Sequence, residues 1–364
     1  MRALARALVS RSSLLYRARS MASSNAPPVP PVVDQIRPHW FTNPPPELSA
    51  LNEAVIAERS KAPKFMDIGM PKYREIRHAE FEHGDENFIL DVSVPGECDQ
   101  PHINCRLFFP EVKEHAQPRG ALLHLHGGGF VTGSAMGQSD ARLLRHAKNC
   151  NLVVVSVDYR LSPENRHPAA ILDCMGAAAW LTSDQGRSTS RISRDAPLMV
   201  VGESAGGYLA AAMLTRLRDL KRGPVFAAAA LTYGWFDFSE TPCVRNWGER
   251  RLMSTREELR WFRDCYLGPY FPEEQLRCPD VSPLYADLRG LPPALFSVGT
   301  EDALLDDTTF MYMRWLTCGN EATLRLYPGA AHGFGHFGPH QHTEQGKQAL
   351  EAIEAFYNLH LDRA

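Results

Sequence analysis

The feature that most constrains the fold of this chain is a regular alternation of short apolar runs with helix-length segments. Runs that are apolar throughout suit parallel strands covered on both faces, and parallel strands need a crossover between them. The runs lie at residues 121–126, 152–157, 198–201, 226–231, 294–298 and 323–327. An earlier pair, at residues 87–94 and 102–109, suits a hairpin. This order predicts an α/β fold with a mostly parallel central sheet and helices on both faces.

The bulk composition is that of an ordinary globular protein. Hydrophobic residues make up 44% of the chain and charged residues 22%, and the formal net charge is −3. These values give no reason to expect nucleic acid or an anionic membrane surface as a partner. No apolar run reaches the roughly 18 residues that a membrane-spanning helix needs. The eight cysteines are scattered without a C-x-x-C pair, which favours reduced thiols, and we expect no metal and no cofactor.

The first 33 residues differ in composition from the rest of the chain. Arginines alternate there with leucine, alanine and serine, and the first acidic residue is Asp34. An arginine-rich start without acidic residues is typical of a mitochondrial transit peptide. We therefore expect residues 1–33 to be a targeting or disordered segment of a mitochondrial protein. A start at Met21 would instead give a cytoplasmic form.

Two further stretches depart from the alternation of strands and helices. Residues 34–84 begin as a proline-rich linker and continue with a helical pattern at residues 47–61. Residues 233–291 are crowded with aromatic side chains and interrupt the strand–helix order. We expect the main domain to span residues 85–364, with residues 233–291 inserted into it. The insertion and the N-terminal helices would together form a helical cap.

A serine flanked by glycines stands where an apolar run meets a helix-prone segment. Residues 202–206 read Gly-Glu-Ser-Ala-Gly and directly follow the run at 198–201. The G-x-S-x-G pattern is typical of a nucleophile elbow, a tight turn that raises the serine hydroxyl above the sheet edge. Gly202 and Gly206 would permit the turn, and Ser204 would be the nucleophile. This interpretation requires a base, an acid and an oxyanion hole elsewhere in the chain.

Three consecutive glycines follow the apolar run at residues 121–126. They belong to the segment His126-Gly127-Gly128-Gly129-Phe130. Successive glycines let backbone N–H groups approach a ligand oxygen closely, as an oxyanion hole requires. A phosphate-binding turn is the alternative, but the segment has neither the Lys-Ser/Thr of a Walker A loop nor G-x-G-x-x-G spacing. Together with the serine turn downstream, the segment favours an oxyanion hole.

Candidate acids and bases follow the last two apolar runs. In folds that carry a nucleophile elbow, the acid and then the histidine follow the serine, and each lies at the carboxyl end of a strand. Asp302 and His332 are favoured because each comes just after its run. Three acids compete with Asp302, and as an alternative they would be helix N-terminal charges: Glu301, Asp306 and Asp307. Three histidines compete with His332, in a spacing that matches no zinc pattern: His336, His340 and His342.

In this order, the motifs resemble those of the hormone-sensitive lipase family of α/β hydrolases, the H-G-G-G carboxylesterases and lipases. The resemblance extends from about residue 85 to the C-terminus. Its matching segments are residues 126–130, 159–164, 167–169, 202–207, 302–304 and 332–334. It implies the α/β-hydrolase fold, with a cap built from the N-terminal region and an insertion before the acid.

The same resemblance implies roles for individual residues. Ser204 would be the nucleophile, His332 the base and Asp302 the acid that orients it. The oxyanion would be bound by the backbone N–H groups of Gly128, Gly129 and Ala205. The remaining positions support the two motifs: His126, Gly127, Gly202, Glu203 and Gly206.

Glu203 departs from the pattern of the family. Family members usually carry Asp or Thr at this position, whereas Gly-Glu-Ser-Ala-Gly-Gly is similar to the cholinesterase-like type B carboxylesterases, which are considerably longer chains. The difference bears on subfamily or substrate preference and leaves the triad intact.

The expected function is that of a serine carboxylesterase acting through an acyl-enzyme intermediate on small-molecule esters. Aromatic residues of the insertion would line an apolar pocket, which favours short- to medium-chain or aromatic esters. Two alternatives are open: hydrolysis of a small amide, as in arylacetamide deacetylases, and ligand binding without catalysis, as in plant gibberellin receptors. Those receptors lack the catalytic histidine, whereas His332 is present here. The sequence is also compatible with a homodimer.

Overall fold

The computed structural model describes residues 39–78, 84–97, 99–111, 117–136, 138–222 and 225–363, without the side chain of Trp40. The expected targeting segment, residues 1–33, lies outside these ranges. The described part is built around an eight-stranded sheet with the order β1-β2-β4-β3-β5-β6-β7-β8. The strands are β1 (Ile89–Val94), β2 (Ile103–Phe108), β3 (Ala121–Leu125), β4 (Val153–Asp158), β5 (Leu198–Glu203), β6 (Ala228–Thr232), β7 (Ala294–Glu301) and β8 (Ala322–Ala331).

Strand pairing is antiparallel at one edge of the sheet and parallel over the rest. β1 pairs with β2, and β2 with β4, in antiparallel register. From β4 through β3, β5, β6 and β7 to β8, every pair is parallel. The expected hairpin and the expected mostly parallel sheet are therefore both confirmed.

Helices lie on both faces of the sheet. None within the described ranges is long and apolar enough to cross a membrane. The helices are α1 (His39–Thr42), α2 (Pro46–Arg59), α3 (Phe65–Ile68), α4 (Met70–His78), α5 (Asp140–Cys150), α6 (Ala169–Thr182), α7 (Asp184–Thr189), α8 (Ala205–Asp219), α9 (Pro242–Trp247), α10 (Arg256–Leu267), α11 (Leu305–Thr317) and α12 (Glu344–Arg363).

The central strands are apolar on both faces because both faces are covered. Successive side chains of a strand point to opposite sides of the sheet. Leu122 of β3 packs on one side with Leu143 of α5 and Tyr357 of α12. Its neighbour Leu123 belongs to the cluster on the other side, with Leu209 of α8. Each such fully buried side chain contributes about 1.5–3 kcal/mol to stability through the hydrophobic effect.

The helices before residue 79 lie against the aromatic-rich stretch at 233–291. The ring centroids of Phe65 and Phe262 are 6.0 Å apart. Val55 of α2 packs in one cluster with Leu252. The two stretches expected to build a cap are thus in contact, and the domain boundaries drawn from the sequence stay a prediction.

The last two strands are longer than the apolar runs indicated. β7 continues to Glu301 and β8 to Ala331, because their pairing resumes after a register shift between Gly299 and Glu301. Parallel strands end at the same edge of a sheet. His332 directly follows β8 and Ser204 directly follows β5, so the two residues lie at the same edge of the sheet.

Candidate active site

The turn between β5 and α8 holds Ser204 in an uncommon backbone conformation. Its φ of 54° and ψ of −117° lie in a region that residues other than glycine rarely adopt. The Ser204 N–H donates to the carbonyl of Thr232 at 3.0 Å, which ties the turn to β6. A Cβ on Gly202 would lie 2.1 Å from the Gly206 carbonyl oxygen, and a Cβ on Gly206 would lie 1.8 Å from that of Leu125. Only glycine fits at these two positions, as the elbow pattern predicts.

Three of the expected residues form one continuous chain of hydrogen bonds. The Oγ of Ser204 is 2.9 Å from Nε2 of His332, and Nδ1 of His332 is 2.9 Å from Oδ2 of Asp302. The Asp302 side chain is fully buried and also accepts the N–H of Leu304 at 2.9 Å. A carboxylate can only accept, so it holds the imidazole proton on Nδ1 and leaves Nε2 free to accept the serine proton. This arrangement can activate the hydroxyl as a nucleophile.

The glycine-rich loop after β3 presents backbone donors beside this chain of hydrogen bonds. Gly128 and Gly129 have φ values of 129° and 61°, and together with Ser204 they line one cavity. A Cβ on Gly128 would lie 2.1 Å from the Thr132 carbonyl oxygen. Within the described ranges, the N–H groups of Gly128, Gly129 and Ala205 have no hydrogen-bond acceptor. Unused donors at the start of a helix and in a glycine loop are what an oxyanion hole requires.

His126 supports this loop from beneath. Its ring is fully buried, stacks on Tyr159 with centroids 4.1 Å apart, and donates from Nδ1 to the Gly127 carbonyl at 2.9 Å. The Tyr159 hydroxyl donates to the His126 carbonyl at 2.7 Å. Burial lowers the pKa of His126 to about 4, so the ring is neutral at physiological pH.

Comparison with known proteins identifies the family of this chain. A family model described as alpha/beta hydrolase fold matches residues 122–336. The chain belongs to the α/β-hydrolase family. The matched part of the hydrolase includes the glycine loop, the elbow and the strands that carry Asp302 and His332.

The relatives of the hydrolase include proteins named as an acetyl-hydrolase and as ester hydrolases. An acetyl-hydrolase of Streptomyces hygroscopicus is 32% identical over 67% of this chain and 77% of its own length. The carboxylic ester hydrolase LipN of Mycobacterium tuberculosis is 31% identical over 68% of this chain and 64% of its own length. The structure of an esterase from Pyrobaculum calidifontis has a TM-score of 0.73 and 28% identity, covering 85% of this chain and 97% of that one. The expected membership in the hormone-sensitive lipase family, the fold and the class of carboxylic ester hydrolases are confirmed.

The competing acids of the hydrolase are engaged elsewhere. Glu301 forms an ion pair with Arg250 at 2.6 Å. Asp306 accepts the N–H of Cys243 at 2.8 Å, and Asp307 accepts two backbone N–H groups and the hydroxyl of Thr241. Asp306 and Asp307 lie in the first turn of α11, which agrees with the alternative interpretation of them as helix N-terminal charges. The same interpretation is wrong for Glu301, which is the last residue of β7.

The competing histidines are likewise held away from Ser204. His336 donates from Nδ1 to the carbonyl of Phe334 at 3.0 Å, and His340 donates from Nε2 to Asn52 at 2.8 Å. His342 is exposed beside Gln341. Among the described residues, no group of three or more His, Cys, Asp or Glu side chains is arranged to hold a metal ion.

A cavity with apolar walls lies over the Ser204–His332 pair. The space between its walls, together with the open solvent at its mouth, amounts to about 730 Å³. The expected aromatic lining is present in part: Trp235, Trp247 and Phe262 face the cavity, whereas Phe238 and Tyr266 pack in the core. Apolar walls also come from other side chains: Phe65, Tyr73, Met253, Leu259, Leu304 and Phe337. In addition to Asp302, the charged residues that line the cavity are Arg77 and Glu301.

Two residues near the elbow were not identified from the sequence. His124 of β3 and Arg142 of α5 both contact the carboxylate of Glu203, at 3.1 Å and 2.9 Å. Their signals in the sequence are a histidine inside an apolar run and one of two arginines in an amphipathic helix. Neither signal indicates a partner so far away along the chain.

Proposed function

We propose that this protein is a serine carboxylesterase in which Ser204, His332 and Asp302 form the catalytic triad. The observation that carries the proposal is the hydrogen-bond chain from Ser204 Oγ through both ring nitrogens of His332 to Asp302. These three residues line the same cavity as Gly128 and Gly129. Nucleophile, base, orienting acid and oxyanion donors are thus available at one place.

The proposed reaction proceeds in two halves. Ser204 Oγ attacks the ester carbonyl while His332 Nε2 takes its proton, and the N–H groups of Gly128, Gly129 and Ala205 bind the oxyanion. The tetrahedral intermediate collapses to an acyl-enzyme as His332 returns the proton to the leaving alcohol. Water, deprotonated by His332, then attacks the acyl carbon. The second tetrahedral intermediate releases the acid as Ser204 Oγ leaves and takes that proton back from His332.

The cavity supports esters with an apolar acyl group as substrates. Its aromatic and aliphatic walls favour short- to medium-chain or aromatic acyl groups over polar ones. The relatives named as ester hydrolases favour an ester over an amide. A panel of p-nitrophenyl esters graded by acyl length, measured beside the matching anilides, tests this preference, and faster turnover of the anilides would contradict it.

A fluorophosphonate probe tests the nucleophile. We expect wild-type protein to be labelled at Ser204, and Ser204→Ala to lose labelling together with several orders of magnitude in kcat. Ser254→Ala is the matched control, because it removes another hydroxyl from the lining of the same cavity. It should still be labelled. Ester hydrolysis that survives in Ser204→Ala would overturn the assignment.

We also propose that the protein is imported into mitochondria. The support is the arginine-rich composition of residues 1–33. A fluorescent fusion of the full chain should co-localise with mitochondria, and a fusion starting at Met21 should not. Identical distributions of the two fusions would contradict the proposal.

A further inference from the structure

Glu203, the residue directly before the nucleophile, is a buried carboxylate with two partners. Its side chain is 2% exposed. Nε2 of His124 lies 3.1 Å and 3.2 Å from its two oxygens, and Nη2 of Arg142 lies 2.9 Å from one of them. His124 belongs to β3, Glu203 to β5 and Arg142 to α5. One side chain thus joins three elements at the base of the site.

The charges of this group are fixed by its surroundings. Burial alone would raise the pKa of Glu203, but the charge of Arg142 and the hydrogen bond from His124 hold that pKa well below its usual range. Burial lowers the pKa of His124, so its ring is neutral. The neutral ring donates from Nε2 to the carboxylate and accepts at Nδ1 from the hydroxyl of Ser156, 2.8 Å away. The network is a direct ion pair of Glu203 with Arg142, and the neutral ring of His124 adds a hydrogen bond to the carboxylate.

Glu203 also lies next to the loop that carries the proposed oxyanion donors. A Cβ on Gly127 would lie 3.0 Å from the carbonyl oxygen of Glu203 and 3.4 Å from its Cγ. The backbone and stem of Glu203 therefore leave little room for a side chain at Gly127, the first residue of the glycine loop. β3 leads from His124 directly into this loop, so both contacts of Glu203 act on the same segment. Glu203 itself is not one of the described residues that line the substrate cavity.

We propose that Glu203, held by His124 and Arg142, is the positioning residue that fixes the oxyanion loop relative to the Ser204 hydroxyl. The inference rests on the proposed function, because it assigns Gly128 and Gly129 as oxyanion donors. Small displacements of such donors are costly, since a misplacement of about 1 Å can lower a rate a hundredfold. Glu203 would thus act on the transition state through its neighbours without touching the substrate.

The molecule contains a second network of the same chemistry that serves as a control. Glu354 of α12 is 10% exposed in its side chain, accepts from Nδ1 of His146 at 3.0 Å and pairs with Arg145 at 2.9 Å. It joins α12 to α5 and does not line the cavity over Ser204. Glu354→Gln therefore imposes the same loss of a buried charge away from the elbow.

The test compares Glu203→Gln with Glu354→Gln. Glutamine keeps the shape of the side chain and removes the charge that pairs with the arginine. We expect Glu203→Gln to lower kcat for a p-nitrophenyl ester about ten- to a hundredfold with KM within twofold. Its affinity for a trifluoromethyl ketone, whose Ser204 adduct places an oxyanion in the hole, should fall by a similar factor. Glu354→Gln should lower the melting temperature and leave kcat and ketone affinity within twofold.

If Glu203→Gln does not fold, His124→Gln tests the same positioning role. It retains the ion pair of Glu203 with Arg142 and removes the ring that links Glu203 to β3. We expect a several-fold loss of kcat at unchanged KM. Wild-type kcat and ketone affinity in Glu203→Gln, or in His124→Gln where only that variant folds, would overturn the positioning role. The proposed function fails separately, if Ser204→Ala retains ester hydrolysis.

Discussion

At the scale of single residues, the hydrogen-bond chain connects Asp302 to Ser204 through the ring of His332. Its carboxylate is fully buried and faces Nδ1, so the proton of the neutral imidazole is held on that nitrogen. Nε2 then carries the lone pair that Ser204 needs. In the proposed mechanism, the contribution of Asp302 would be to select this tautomer and to stabilise the imidazolium that forms in the transition state.

Asp302→Asn should abolish most of the activity while preserving the fold. The amide would donate to Nδ1 and favour the tautomer with its proton on Nε2, facing Ser204. We expect kcat to fall by about four orders of magnitude, as for this substitution in other triads. Asp306→Asn is the control, because Asp306 accepts a backbone N–H of Cys243 and does not contact His332. Equal losses of kcat in the two variants would argue against the role of Asp302.

At the scale of elements, helix α10 belongs to the aromatic-rich stretch and also forms part of the cavity wall. Leu259 and Phe262 of this helix line the cavity, and a Cβ on Gly129 would lie 2.9 Å from the ring of Phe262. The helix begins with a capping box: the side chain of Thr255 accepts the Glu258 N–H, and the Glu258 carboxylate accepts the Thr255 N–H. Loss of this cap would loosen the helix that forms one wall of the cavity.

Thr255→Ala should destabilise the protein and weaken substrate binding together. Removing an N-cap hydroxyl costs about 0.5–2 kcal/mol, and we expect a decrease of that size in the free energy of unfolding measured with urea. KM should rise because Phe262 is held less firmly. Thr255→Ser keeps the hydroxyl and should restore both values to near wild type. A Thr255→Ala variant as stable as wild type would show that the cap is dispensable.

At the scale of the whole molecule, neutral buried histidines make stability depend on pH. Burial lowers the pKa of His126 to about 4 and, together with the charge of Arg142, lowers that of His336 to about 3. In the unfolded chain the pKa of histidine is about 6.5. Below that pH the unfolded state binds protons that the folded state does not bind. The stability contributed by neutral burial is complete above pH 6.5 and is lost as the pH falls toward the folded pKa values.

The free energy of unfolding should therefore be lower at pH 5 than at pH 7.5. Each fully buried histidine accounts for about 2 kcal/mol of this difference. Urea denaturation at the two pH values measures it. His336→Gln should reduce the difference, whereas substitution of the exposed His342 by Asn should leave it unchanged. Equal free energies at both pH values would contradict the prediction.

The sequence predicted the sheet and the order of the site residues because those features follow from local patterns. Ser204, Asp302 and His332 each come after an apolar run, and the ends of parallel strands share an edge. The partners of Glu203 were not predictable in this way. His124 and Arg142 lie 79 and 61 residues away along the chain. Hydrogen bonds of that separation depend on how strands and helices pack, which periodicity and spacing do not encode.

The placement of the site on separate strands has a consequence for how activity appears during folding. Ser204 follows β5, Asp302 lies beyond β7 and His332 follows β8, so the bond between Ser204 and His332 spans 128 residues. With His332 as the proposed base, we expect the hydrolase to gain turnover only after its last strand has docked. In a refolding experiment, ester hydrolysis would therefore report when β8 has paired with β7. Circular dichroism would report helix and strand content whether or not β8 had paired.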